Sequence, residues 1–139
     1  MELAAEGGAG IGFGHTDSFE LLPLAQAAKE VGARAILDHP LLELNKLTLD
    51  EIRELADLGT YCQPIIPSMC QPVVDPFETP CVVDAIGAER CIAASDFGQL
   101  LHVDSLAGMR VFIRAMLGIS EAALELIFKT NPARLLYLD

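Results

Sequence analysis

Positive charge is scarce in this chain. Nine Lys and Arg stand against twenty Asp and Glu in 139 residues, a formal net charge of −11. Phosphate binding needs clustered cations, so the balance speaks against a nucleic-acid partner and against an anionic membrane surface. The acidity reads as a solvated surface that favours solubility. Long apolar runs are also missing. None approaches the roughly 20 residues that span a bilayer. The opening segment carries Glu2 and Glu6 and no basic stretch, so it does not read as a secretory signal. A cytoplasmic location is the expectation. The four cysteines, Cys62, Cys70, Cys81 and Cys91, never fall at C-x-x-C spacing, which argues against zinc ribbons and redox pairs. Cys62 and Cys91 lie inside apolar strand runs and read as small core residues, and Cys70 lies in a loop. Reduced thiols are expected. A G-x-G-x-x-G loop is absent too. Gly8, Gly10, Gly12 and Gly14 alternate, and they lie before and within a strand rather than after it.

What is present is apolar and regularly punctuated. Apolar residues make up 52% of the chain, enough for one domain over residues 1–139 with a real core. Residues 1–9 look like the tail of something, helix-prone and then Gly7-Gly8. Ile11 to His15 reads as a strand. Asp17-x-x-Glu20 opens a helix with Leu21, Leu24, Ala25 and Ala28 at helical spacing, Pro23 delaying or kinking it and Gly32 closing it. Ala33 to Asp38 is a second strand, and His39-Pro40 ends it. Thr48-x-x-Glu51 is a capping box before Ile52, Leu55 and Ala56, with Gly59 as the stop. Thr60 to Ile66 is a third strand, in which Pro64 implies irregular pairing. Asp75 caps a helix shortened by Pro80, with Val82, Val83 and Ile86 facing the core. Cys91 to Ser95 is a fourth strand. Ser105 and Ser120 open two further helices, the first with Leu106, Met109, Ile113 and Met116 on one face, the second with Ala123, Leu124, Ile127 and Phe128. Asn131-Pro132 starts a last short helix, Asn131 as its cap, docked by Leu135, Leu136 and Leu138. The order β-α-β-α-β-α-β-α-α with short links means a parallel sheet built by right-handed crossovers.

The chemistry gathers at the carboxyl ends of those strands, where parallel α/β folds place their sites. Three strand-like runs end in metal-capable side chains: His15, His39 and Asp96. Imidazole nitrogen and carboxylate oxygen suit zinc, manganese or iron. A bound metal brings the pKa of its water to about 7, and Asp96 could serve both as ligand and as base. Asp38 precedes His39, but strand alternation points it to the other side. His102 follows the fourth strand in a loop and reads as a solvated residue.

GHTDSFE, DHP, SDFGQ and the closing Asn131-Pro132-Ala133-Arg134-Leu135-Leu136 together resemble the amidohydrolase superfamily, most closely an uncharacterised amidohydrolase-like branch. The resemblance implies parallel βα units forming the C-terminal half, strands 5–8, of a (β/α)8 TIM barrel. It implies His15 and His39 as metal ligands, Asp96 as ligand and catalytic residue, and a divalent metal, with zinc ahead of manganese or iron. The activity implied is metal-dependent hydrolysis of a small-molecule substrate, by a water that the metal binds and Asp96 deprotonates. The family's first-strand His-x-His and fourth-strand Lys or Glu have no counterpart in this chain. The expectation is therefore a truncated barrel with an incomplete site, completed by a missing N-terminal half or by homodimerisation. The competing expectations are a non-catalytic α/β remnant used in assembly and an open flavodoxin-like sheet that binds a small anion.

Overall fold

The computed structural model describes residues 1–41, 47–65, 75, 77–94 and 106–138. Its centre is a parallel sheet in the order β1 (Ile11–Gly12), β2 (Ala35–Asp38), β3 (Tyr61–Ile65) and β4 (Cys91–Ala93). Sequential strands are spatial neighbours throughout, as expected for consecutive βα units. Helices α2 (Ser18–Glu30), α3 (Leu49–Asp57) and α4 (Glu78–Ile86) connect them. After β4 come α5 (Leu106–Leu117), α6 (Glu121–Glu125), a π turn over Leu126–Thr130, and α7 (Asn131–Leu135). A short α1 (Glu2–Glu6) precedes the sheet. The architecture is α/β with four parallel strands. No helix among the described residues is long and apolar enough to cross a membrane.

Alternation along the strands sorts the sheet into two faces. Ala35, Leu37 and Cys62 pack with Leu21, Ala25 and Ala28 of α2, with Ile52 and Leu55 of α3, and with Val82 of α4. Cys91 and Ala93 continue that face against Met109, Ile113, Leu124 and Ile127. On the other face Ile36, Tyr61 and Ile92 meet Leu135 of α7. The apolar spacing in the helices is thus the spacing that buries them. Between β3 and β4 the register shifts, with Cys62 opposite Cys91 but Ile65 opposite Ala93. Pro64 sits inside that shift, where its missing N–H costs the ladder least.

The helix starts follow their local chemistry in two cases and depart from it in three. Thr48 and Glu51 form the full capping box at α3, and Ser120 accepts from the Ala123 N–H at α6. Asp17 occupies the N-cap of α2 without a side-chain bond. Pro23 does not delay that helix. It runs from Ser18 to Glu30 with Leu21, Ala25 and Ala28 fully packed beneath it, and this burial outweighs one missing rung. Asp75 accepts from the Phe77 N–H and so shapes the turn ahead of α4, which begins only at Glu78.

Asn131 does not cap α7. Its side chain is completely buried, and Nδ2 donates to the carbonyls of Ala88 (2.8 Å) and Cys91 (2.7 Å). It is a strut tying the C-terminal helix to the start of β4. Leu135 docks as expected, whereas Leu136 and Leu138 are 54% and 74% exposed. β1 is also shorter than the apolar run suggested and ends at Gly12, three residues before His15. Ser105, the expected cap of α5, lies outside the described residues.

Two outcomes follow from these contacts. Thr48→Ala will cost about 1 kcal/mol in urea unfolding. Glu51 gains a lowered pKa from the Thr48 N–H and hydroxyl. Its contribution is therefore present above the unfolded carboxyl value of 4.5 and fades as pH falls through the lower folded value. Thr48→Ala keeps the backbone N–H, the larger cause, and removes the hydroxyl, so it should flatten that part of the acid limb only in part. Burial pushes the Cys91 thiol up to about 12 and holds Cys62 well above its ordinary value, while Cys81 is exposed. Of these three thiols, Cys81 alone will react with iodoacetamide in the native protein, as peptide mapping would show.

Candidate functional site

The pairing of β1 with β2 decides which side chains meet. Ile11 lies opposite Ala35 and Gly12 opposite Ile36. His15 is three residues beyond Gly12, and His39 is three beyond Ile36. A parallel ladder therefore carries the two histidines to the same level past the carboxyl ends of adjacent strands. Their ring centroids lie 5.9 Å apart with planes inclined at 47°. With nitrogen–zinc bonds of about 2.0–2.1 Å, two imidazoles on one ion sit with centroids roughly 5 Å apart, so the pair is close to a shared-ion geometry.

Both histidines adopt left-handed backbone, with φ of 59° at His15 and 54° at His39. Histidine enters this region more readily than most residues, but it still costs about 1–2 kcal/mol. His15 is exposed and His39 half-buried. The Nδ1 of His39 is fully buried with no hydrogen-bond partner among the described residues. A buried polar atom without a partner calls for an explanation, and an electron-pair acceptor such as a metal ion is one.

Asp38 belongs to this group: it keeps the Ile36 face that alternation gives it, and it is His39 that departs from the pattern. The left-handed turn at His39 ends the alternating pattern. The Asp38 carboxyl lies close enough to both imidazoles and to the Gly14 N–H to feel them. Burial raises its pKa, and His39, His15 and the Gly14 N–H each pull it part of the way back. A Cβ placed on Gly12 would stand 2.8 Å from the Asp38 Oδ2, and one on Gly14 would stand 3.3 Å from it. The signal in the sequence was the alternation of Gly12 and Gly14 along one strand, which marks close approach by a neighbour.

Asp96, expected as the third ligand and the base, lies outside the described residues, as do Ser95 and His102. Among the described residues no three His, Cys, Asp or Glu side chains are grouped to hold a metal ion. The structure thus joins His15 to His39 and adds Asp38 beside them. Cys62, also near Asp38 electrostatically, is a buried thiol whose raised pKa keeps it protonated.

A family model described only as a family of unknown function, DUF6282, matches residues 1–63. That span holds β1, α2, β2 and α3, and with them Gly12, Gly14, His15, Asp38 and His39. No curated protein and no solved structure matches the chain.

The backbone at His15 generates a direct expectation. Glycine accepts the left-handed region without the Cβ penalty, though it gives up chain entropy on folding. His15→Gly will therefore raise stability by roughly 0.5–1 kcal/mol in urea unfolding. A loss of stability would show that the imidazole makes contacts that outweigh its backbone cost.

Proposed function

We propose that this chain carries part of the site of a metal-dependent hydrolase, with parallel βα units of the kind that form the C-terminal half of a TIM barrel. The single observation that carries the reading is the His15–His39 pair, held 5.9 Å apart at the carboxyl ends of adjacent parallel strands with a buried Nδ1 that has no partner among the described residues. His15 and His39 supply two neutral nitrogen donors for a divalent ion, zinc ahead of manganese or iron. Such an ion, when bound, makes water a nucleophile at neutral pH. Asp96, at the end of the run that begins with β4, is the third donor in this reading and takes the proton from the attacking water. The reaction class is hydrolysis of a C–N, C–O or P–O bond in a small molecule.

A second reading has an observation of its own. β1 and β4 each pair on one side only within the described sheet, and unpaired strand edges invite association. In that reading the chain works through assembly, with a second copy or a complementary half barrel seated against these edges. The two readings are compatible if the partner completes the metal site.

Calorimetric titration with zinc tests the first. The wild type should bind one ion, and His39→Ala, His15→Ala and Asp96→Asn should each weaken binding by about 10- to 100-fold or more, at least matching the loss seen when only a ligand's supporting residue is removed. Equal binding by all four proteins would discard the site. Light scattering across a concentration series tests self-association in the same preparations.

A further inference from the structure

We propose that Asp38 is the positioning residue of the histidine pair: its carboxyl clasps the bare backbone of Gly12 and Gly14 and thereby fixes the turn that presents His15 to His39. The role deepens the reading of His15 and His39 as the functional pair and rests on it. Three observations carry it. The first is the contact itself. The Asp38 carboxyl lies against the backbone of Gly12 and Gly14, where its Oδ2 would stand 2.8 Å and 3.3 Å from an added Cβ, and Gly14 immediately precedes His15. The ladder that sets Gly12 opposite Ile36 puts Gly14 level with Asp38, so the contact lies one step past β1, and the field of the Gly14 N–H favours the carboxylate there.

The second is the reason for the glycines. Neither Gly12 nor Gly14 has a positive φ, so backbone conformation does not demand glycine at either position. Space does. An added Cβ would approach the Asp38 Oδ2 to 2.8 Å at Gly12 and 3.3 Å at Gly14. Gly10, on the same stretch, meets a different neighbour, since its Cβ would press on the Leu135 side chain at 3.1 Å.

The third is the strain beyond the clasp. His15 and His39 both hold left-handed backbone, which persists only when surrounding contacts over-determine it. β1 is two residues long and ends before His15, so its own ladder does not fix the turn. The contact of Asp38, which precedes His39, with Gly14, which precedes His15, links the two turns directly.

The pattern of coupling tests this. Gly12→Ala should lower Tm, and adding Asp38→Ala should recover most of that loss, because the clash partner is gone. Gly10→Ala should lose stability that Asp38→Ala does not recover. Gly14→Ala should fall between Gly12→Ala and the wild type. Asp38→Ser replaces Asp38→Ala if the latter does not fold, since it too removes the distal carboxyl. The spectroscopic arm reads the metal-free protein. In Asp38→Ala the His15 imidazole resonances should move toward those of free histidine, and in Asp38→Asn, which keeps an acceptor for Gly14, they should stay at wild-type positions. Additive losses for Gly12→Ala and Asp38→Ala, or unchanged His15 resonances in Asp38→Ala, would overturn the clasp. Zinc titration of the wild type separates this from the reading it rests on. Intact coupling without zinc binding removes the metal and keeps the clasp, and tight binding without coupling does the reverse.

Discussion

The β1–β2 register is the constraint on which the rest of the site depends. With Gly12 opposite Ile36, every residue past β1 has a fixed counterpart past β2. His15 meets His39, and Gly14 meets Asp38. A slip of one residue would set His15 beside Pro40 and turn the Ile36 face of β2 against helices that accept Ala35 and Leu37. The burial of Ala35 and Leu37 under α2 and α3 therefore holds the histidines in register. The core specifies the site by specifying which pairing is allowed.

The two edges of the sheet divide the labour. At the amino edge, polar groups are tied down. Arg34 donates to the Arg134 carbonyl and stacks its guanidinium 3.7 Å from the Tyr137 ring centroid. Arg90 donates to the Gly59 carbonyl at 3.2 Å, and Asn131 bridges Ala88 and Cys91. The Arg34 and Asn131 bonds join the C-terminal helix to the strand starts, where Leu135 packs against Ile36, Tyr61 and Ile92, and the Arg90 bond ties the start of β4 to that of β3. At the carboxyl edge stand two left-handed histidines, a half-buried carboxyl with a raised pKa and an imidazole nitrogen without a partner among the described residues. Left-handed backbone alone does not mark function, because Tyr137 shares it with φ of 56°. Tyr137, however, is covered by the Arg34 guanidinium and packs over Gly8, so its conformation has a structural cause. Its hydroxyl and the Asn131 Oδ1 are likewise buried without a partner among the described residues. What separates the carboxyl edge is that several such features fall on adjacent residues of two paired strands.

Most of the architecture was legible in the sequence because its signals are local. Helical spacing named Ile52, Leu55 and Ala56 before any contact was known, and all three are buried. The Thr48 box and the irregularity at Pro64 are likewise properties of a few neighbouring residues. The misreadings share the opposite origin. Asn131 precedes a proline and looks like a cap, but carbonyls some 40 residues away claim its amide. Leu136 and Leu138 follow an apolar run, yet a helix that ends at Leu135 leaves them facing out. Asp38 keeps the Ile36 face that alternation gives it, and the misreading lay in carrying alternation on to His39, whose left-handed φ ends it. Long-range pairing decides each of these, and a single chain read in order does not display it.

The glycines at 12 and 14 show how such pairing can still leave a trace. A glycine in a strand costs chain entropy and offers nothing to pack, so two at alternate positions need a reason on one face of that strand. Here the reason is a neighbour's carboxyl, which a Cβ at either position would crowd. The absence of side chains on β1 and the presence of Asp38 on β2 are then one feature seen from two strands. Aspartate at the end of β2 would be a poor choice on burial alone, since desolvation already raises its pKa. It is tolerable because the Gly14 N–H and two imidazoles offset part of that cost, and those three partners are the groups whose positions it constrains. A change at any one of them alters the case for the others, which is why the strand end behaves as a unit and not as a row of independent residues.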